Sequence, residues 1–201
     1  MKEQATSLTQ IVEAISDRSL PPVHSWHPSN TRDVPIRIAR NGHWFYQGSR
    51  IERPRMVKLF STVLRVDDDG HTYLVTPHER LRIEIDDAPF TAVLVERHGV
   101  PIEPTLVFTT NIGDQVIADA KHRIFVKYKT QGGEPSPYVH VRDKLNALIS
   151  RAVFYQLADW AEDKNGIIGV ESSGVFMPLS ETPASGASFT ETPVPDPQGA
   201  S

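Results

Sequence analysis

Arg80-Leu81-Arg82-Ile83-Glu84-Ile85-Asp86-Asp87-Ala88-Pro89 is the stretch from which the fold can be read. Leu81, Ile83 and Ile85 alternate with Arg82 and Glu84, the period of two that marks a strand with one buried face. Asp86 to Pro89 then breaks the run, because these are turn-forming residues and proline has no N–H to give a ladder. Downstream the pattern repeats, with strands expected at 91–97, 105–109, 115–118, 123–129 and 138–142, separated by Gly99, Gly113 and Gly132-Gly133. Short strands at this spacing predict a strongly curved antiparallel sheet or small barrel. Asp143 reads as the cap of a closing helix whose stripe is Leu145, Leu148, Ile149, Ala152, Val153 and Trp160. Segments 167–170 and 175–178 flank Ser172-Ser173-Gly174 as a last hairpin.

Upstream, Asn41-Gly42 lies between Ile36-Arg37-Ile38-Ala39 and Trp44-Phe45-Tyr46, a hairpin signal because both turn residues tolerate positive φ. Pro54 suits the first turn of a helix carrying Met56, Val57, Leu59, Phe60, Val63 and Leu64 on one arc of about 160°. Asp67 to Gly70 is a turn, and 72–76 reads as the strand returning from it. Leu8, Ile11, Val12 and Ile15 predict an amphipathic helix ending before Pro21-Pro22. The fold class is therefore α+β. Residues 1–84 form a helix, hairpin and basic-helix unit, and 85–180 a curved antiparallel sheet closed by a helix. Residues 181–201 hold three acids, four prolines and no Lys or Arg, a composition that cannot bury enough surface to order itself.

The 201 residues carry 21 Lys plus Arg against 25 Asp plus Glu, a net charge of −4, so no global basic excess exists to hold a nucleic-acid duplex. The chain has no cysteine, which excludes disulfides, thiolate metal sites and cysteine nucleophiles. No signal-peptide pattern and no uncharged span of about 18 residues occurs, so a cytoplasmic protein without a membrane partner is expected.

Five stretches taken in order carry a resemblance: Arg37-Ile38-Ala39-Arg40-Asn41-Gly42 with Trp44-Phe45-Tyr46; Tyr73-Leu74-Val75-Thr76-Pro77; Asp86-Asp87-Ala88-Pro89-Phe90; Thr109-Thr110-Asn111-Ile112-Gly113-Asp114; and Tyr138-Val139-His140-Val141-Arg142. Over roughly residues 20 to 180 they resemble the proteobacterial domain-of-unknown-function family 1285. The resemblance implies two related halves, the second superficially like a pleckstrin-homology domain. It also implies a site for a nucleotide-like ligand between them and a role in signalling. It implies no enzyme activity.

Candidate binding residues follow from the pattern. Alternation places Tyr138, His140 and Arg142 on one strand face, where an aromatic, an imidazole and a guanidinium in a row suit a planar anion. A solvated strand face is the plain alternative. Trp44 and Tyr46 share a face, either as core or as an exposed aromatic patch. Thr110, Asn111 and Asp114 offer a hydroxyl, an amide and a carboxylate in one turn, although turns select such residues for backbone reasons as well. Between Arg32 and Arg65 eight basic residues face two acids, a local net of +6 that includes Arg55. His24, His27 and His43 lack the scaffold and the further partner a metal site needs, so neither metal nor cofactor is expected. The leading expectation is a module that takes a small anionic, nucleotide-like ligand in a cleft between halves. The alternatives are a hydrolase with His140 as base and Asp114 orienting it, and a peptide-binding domain that uses a sheet edge.

Overall fold

The computed structural model describes residues 20–100, 102–128 and 135–180. After a short 3-10 turn at Val23–Ser25, the first half builds one six-stranded sheet. Its strands are β1 (Asn30–Ile38), β2 (Trp44–Tyr46), β3 (Ser49–Arg50), β4 (Leu64–Val66), β5 (Thr72–Val75) and β6 (Glu79–Ile85), with helix α1 (Pro54–Thr62) between β3 and β4. The spatial order is β3-β2-β1-β6-β5-β4. Asn41-Gly42 turns β1 into β2 in the register Ile36 opposite Tyr46 and Ile38 opposite Trp44, with Gly42 at φ +80°. Every neighbouring pair is antiparallel except β1 with β6, which run parallel and close the unit by joining its first and last strands.

The second half repeats that wiring. It comprises β7 (Phe90–Val100), β8 (Glu103–Thr110), β9 (Gln115–Ile117), β10 (Ile124–Tyr128), β11 (Pro135–Arg142) and β12 (Leu145–Ile149). Their order is β10-β11-β12-β7-β8-β9, again with the first and last strands, β7 and β12, paired in parallel. Numbered within each half, both sheets read 3-2-1-6-5-4. The helices differ in place: α2 (Arg151–Asp159) follows the sixth strand rather than the third. Bulges at Ala92/Leu94 in β7 and at His140/Arg142 in β11 bend the second sheet, which curls into a half-barrel. A three-stranded sheet of β13 (Glu162–Lys164), β14 (Ile167–Ser172) and β15 (Val175–Pro178) follows.

The core is shared. Ile38, Trp44, Leu64 and Leu74 from the first half join Phe90, Phe108, Val139 and Leu157 from the second in one continuous apolar cluster. Ser172 ties the third sheet to the second: its hydroxyl accepts from the Leu106 N–H at 2.8 Å and donates to the Ala118 carbonyl at 2.6 Å.

Two expectations are corrected. The closing helix does not begin at Asp143: Asp143, at φ +50°, turns β11 into β12, and Leu145–Ile149 is a strand. That strand lies between β11 and β7, and Leu145, Ala147, Leu148 and Ile149 are all buried, so its sequence is a near-continuous apolar run without the alternation of a half-exposed strand. The helix starts at Arg151, where the Ser150 hydroxyl accepts from the Val153 N–H. Similarly, α1 stops at Thr62 and Leu64 opens β4. Within α1, Phe60 and Val57 pack against the core, whereas Met56 and Leu59 stay exposed, Leu59 at 63%. The expected helix before Pro21, the Gly132-Gly133 turn and the acidic tail from 181 lie outside the described residues.

Candidate functional site

Three of the residues singled out from sequence, Asn111, Asp114 and Arg142, reach across the junction of the halves. Asn111, in the turn after β8, accepts from the Thr91 N–H at 3.0 Å and donates to the Gly42 carbonyl at 2.9 Å, clasping the β1–β2 turn onto the second sheet. The Thr110 hydroxyl accepts from the Asp114 N–H within its own turn, and Asp114 faces Lys58 of α1 at 3.8 Å. Arg142 lies over the Phe90 ring and donates to the Ser61 carbonyl at the end of α1, at 2.5 Å. Burial pushes its guanidinium below the usual arginine range, with the charges of Asp114 and Asp143 opposing the shift.

Tyr138 stacks on Phe125 and donates its hydroxyl to Asp87 at 2.5 Å, with only 6% of its surface exposed. Burial, reinforced by the Asp87 carboxylate, pushes the Tyr138 hydroxyl up to about 12. His140 stacks on His122, and its Nε2 meets the Asp143 carbonyl at 2.7 Å. The hydrolase reading needs a His140–Asp114 pair, and the two side chains have these other partners instead.

The remaining three candidates separate. Trp44 is 1% exposed and packs 6.1 Å from the Phe60 ring, so it belongs to the core and has no face to offer a ligand. Tyr46, further along β2, is 47% exposed. Arg55 is exposed on α1. Tyr138 and Arg142 are thus engaged by Asp87 and the Ser61 carbonyl, while Arg55 stands on the exposed side of α1. The reason is backbone satisfaction: a turn amide and a guanidinium placed between two sheets find unpaired carbonyls there before any ligand does.

Several depressions flank the junction. One, of about 820 Å³, lies beside the Asp67–Asp69 turn, with Arg65, Arg80, Asp143 and Lys144 on its walls. Two others lie along β6 and beside α2. The first, of about 670 Å³, runs along β6 and the 86–89 connection and is walled by Tyr138 and Asn146. Its charges balance, because Arg82, Lys127 and Lys144 line it together with Glu84, Asp86 and Asp87. Asp86 and Asp87 are further tied to Arg37 and Arg40, at 2.7 and 2.9 Å.

The second is a groove of about 900 Å³ between the β1–β2 turn of the first half and the start of α2 in the second. Val93, Leu148, Ile149 and Phe154 give it an apolar wall, Pro135 and Pro137 of β11 continue it, and Tyr155 stands at the rim. Val93 is the extra residue of the β7 bulge, and half of its surface is exposed. Among the described residues the only charged side chains on the groove are Arg40 and Arg151. Asp87 at 2.9 Å and the Ser136 hydroxyl at 3.0 Å hold the Arg40 guanidinium in place, and Arg151 donates to the Tyr155 hydroxyl at 2.9 Å. None of these groove residues was singled out as a ligand group from sequence. Arg40 appeared within the basic run and the stretch from Arg37 to Gly42, and Val93 only within a strand. Spacing along one chain does not show that a turn about 110 residues upstream will face a helix start.

The fold and groove define a small α+β protein of two like-wired sheets around one core, with an apolar-walled groove edged by Arg40 and Arg151 where the halves meet. The chain belongs to the DUF1285 family: the "Domain of unknown function (DUF1285), N-terminal domain" matches residues 21–88, and the "Protein of unknown function (DUF1285), C-terminal domain" matches 89–179. It is similar to the crystal structure of a DUF1285 family protein from Silicibacter pomeroyi DSS-3, at 45% identity and a TM-score of 0.75, covering 88% of this chain and 96% of that one. A second DUF1285 family structure, from Shewanella baltica OS155, is 28% identical with a TM-score of 0.50, covering 63% of this chain and 91% of that one. No curated protein matches. None of the described helices is long and apolar enough to cross a membrane.

Proposed function

We propose that the protein is a binding module for a small anionic ligand, and that the ligand occupies the groove between the β1–β2 turn and α2. One observation carries the reading: the groove's charged side chains are two arginines, one from each half, set beside an apolar and aromatic wall. Ligand sites are typically concave and mostly apolar, with a few convergent polar groups, and form where two units meet. The 670 Å³ depression differs in its lining, where three carboxylates, Glu84, Asp86 and Asp87, stand beside three cations, whereas no carboxylate lines the groove among the described residues. Ligand between Arg40 and Arg151 would touch both halves, so binding is coupled to their packing and stabilises the folded chain.

The test is a thermal-shift and calorimetric screen of the whole chain against nucleotides, inorganic phosphate and organic acids, run beside Arg151→Glu. The reading expects at least one anion to raise the melting temperature progressively with concentration, and the charge reversal to weaken that ligand at least tenfold. A flat response to every anion at millimolar concentration, or equal affinity in Arg151→Glu, overturns it.

A further inference from the structure

The chemistry of the groove says more than its sign of charge. Resting on the reading of the groove as the ligand site, we infer that its ligand is a medium-chain acyl carboxylate: one anionic head and a saturated, apolar body.

Charge comes first. A single carboxylate is matched by one guanidinium fork, whereas a di- or triphosphate needs several cations and many donors converging on its oxygens. The groove supplies two arginines that already have protein partners. Its serine hydroxyls are engaged as well, Ser136 by Arg40 and Ser150 by the Val153 N–H. Arg40, fixed through Asp87 and Ser136, presents its guanidinium in a set orientation, which lowers the ordering cost of holding one carboxylate.

The body comes second. The bulge at Ala92/Leu94 leaves Val93 half exposed, with Leu94 exposed beside it, between the fully buried Ala92 and Val95. Leu148 and Ile149 of β12 and Phe154 of α2 extend the same wall. Such a surface gains from burying methylenes. Of its amide and hydroxyl groups, Asn41 accepts from the His43 N–H, Ser136 and Tyr155 accept from arginines and Ser150 caps α2. Among the described residues Thr91 thus supplies the one buried hydroxyl without a partner, against the several donors and acceptors that reading a nucleobase edge takes. Hydrophobic transfer then tightens binding about fourfold for each added methylene until the groove is filled.

The experiment is isothermal titration of the whole chain with hexanoate, octanoate and decanoate below their micelle concentrations, with 1-decanol and ATP as comparators. Expected are a Kd falling about fourfold per methylene, decanol weaker than decanoate by at least tenfold, and Val93→Glu abolishing decanoate binding. Lys127→Glu, in the 670 Å³ depression, keeps it. A Kd independent of chain length, decanol as tight as decanoate, or undiminished binding in Val93→Glu each overturns the inference. If ATP binds in an Arg151-dependent manner and the acids do not, the ligand class is wrong while the groove as an anion site stands. If no anion binds at all, both readings fall.

Discussion

Replacing Gly42 by alanine tests how the two halves are joined. Gly42 sits at φ +80°, and a Cβ placed there comes to 2.6 Å from Asn111 Nδ2 and 2.8 Å from Thr91 Oγ1. Two costs therefore add. A left-handed conformation for an L-residue costs about 1–2 kcal/mol. The Asn111 amide must also give way, loosening its bonds to the Gly42 carbonyl and the Thr91 N–H, each worth about 1 kcal/mol net. The sum is about 3–4 kcal/mol, a large share of a typical domain's stability. Gly113 provides the internal reference: its φ is +78°, and an added Cβ meets nothing within 4 Å. Gly113→Ala should cost only the conformational part, about 1–2 kcal/mol. Urea unfolding followed by tryptophan fluorescence, with Trp44 in the core as reporter, gives both values. The reasoning predicts that Gly42→Ala is the less stable by about 2 kcal/mol. Equal losses within about 0.5 kcal/mol would refute the clasp, since they would mean that backbone conformation is the whole effect.

Two further outcomes follow from the packing. Ser172→Ala leaves the buried Leu106 N–H and Ala118 carbonyl without their partner, so it should lose about 2–4 kcal/mol in the same urea assay; a loss under about 1 kcal/mol would mean that water replaces the hydroxyl. Tyr138 has a folded hydroxyl pKa of about 12, raised by burial and by Asp87. The neutral phenol therefore contributes stability that is fully present below its unfolded value of about 10 and is lost as pH rises toward 12. Wild type should lose more stability between pH 9.5 and 11.5 than Tyr138→Phe, measured by urea midpoints across that range; parallel curves would contradict the assignment.

Arginine and amide side chains in the turns illustrate where sequence reasoning reached its limit. Asn111 and Arg142 stood out in the sequence as candidate ligand groups, and in the fold they bond the Gly42 and Ser61 carbonyls of the other half. The partner that decided this lies 69 residues away for Asn111 and 81 for Arg142. Trp44 was legible as an aromatic on a strand face, but only the position of Phe60 shows that this face is the inner one. The groove was the least legible feature, because Arg40, Val93 and Arg151 have nothing in common along the chain.

Local chemistry in the sequence determined the β1–β2 hairpin, most of the strands and the break at Asp86–Pro89. Those features depend on period, turn residues and propensity over about ten residues, which a sequence states directly. Tertiary structure alone decided the parallel pairing of β1 with β6 and of β7 with β12, the conversion of Leu145–Ile149 from helix to strand, and the groove. Each of these depends on which distant segment covers a face or completes a ladder, and burial on both sides erases the alternation that would otherwise announce it.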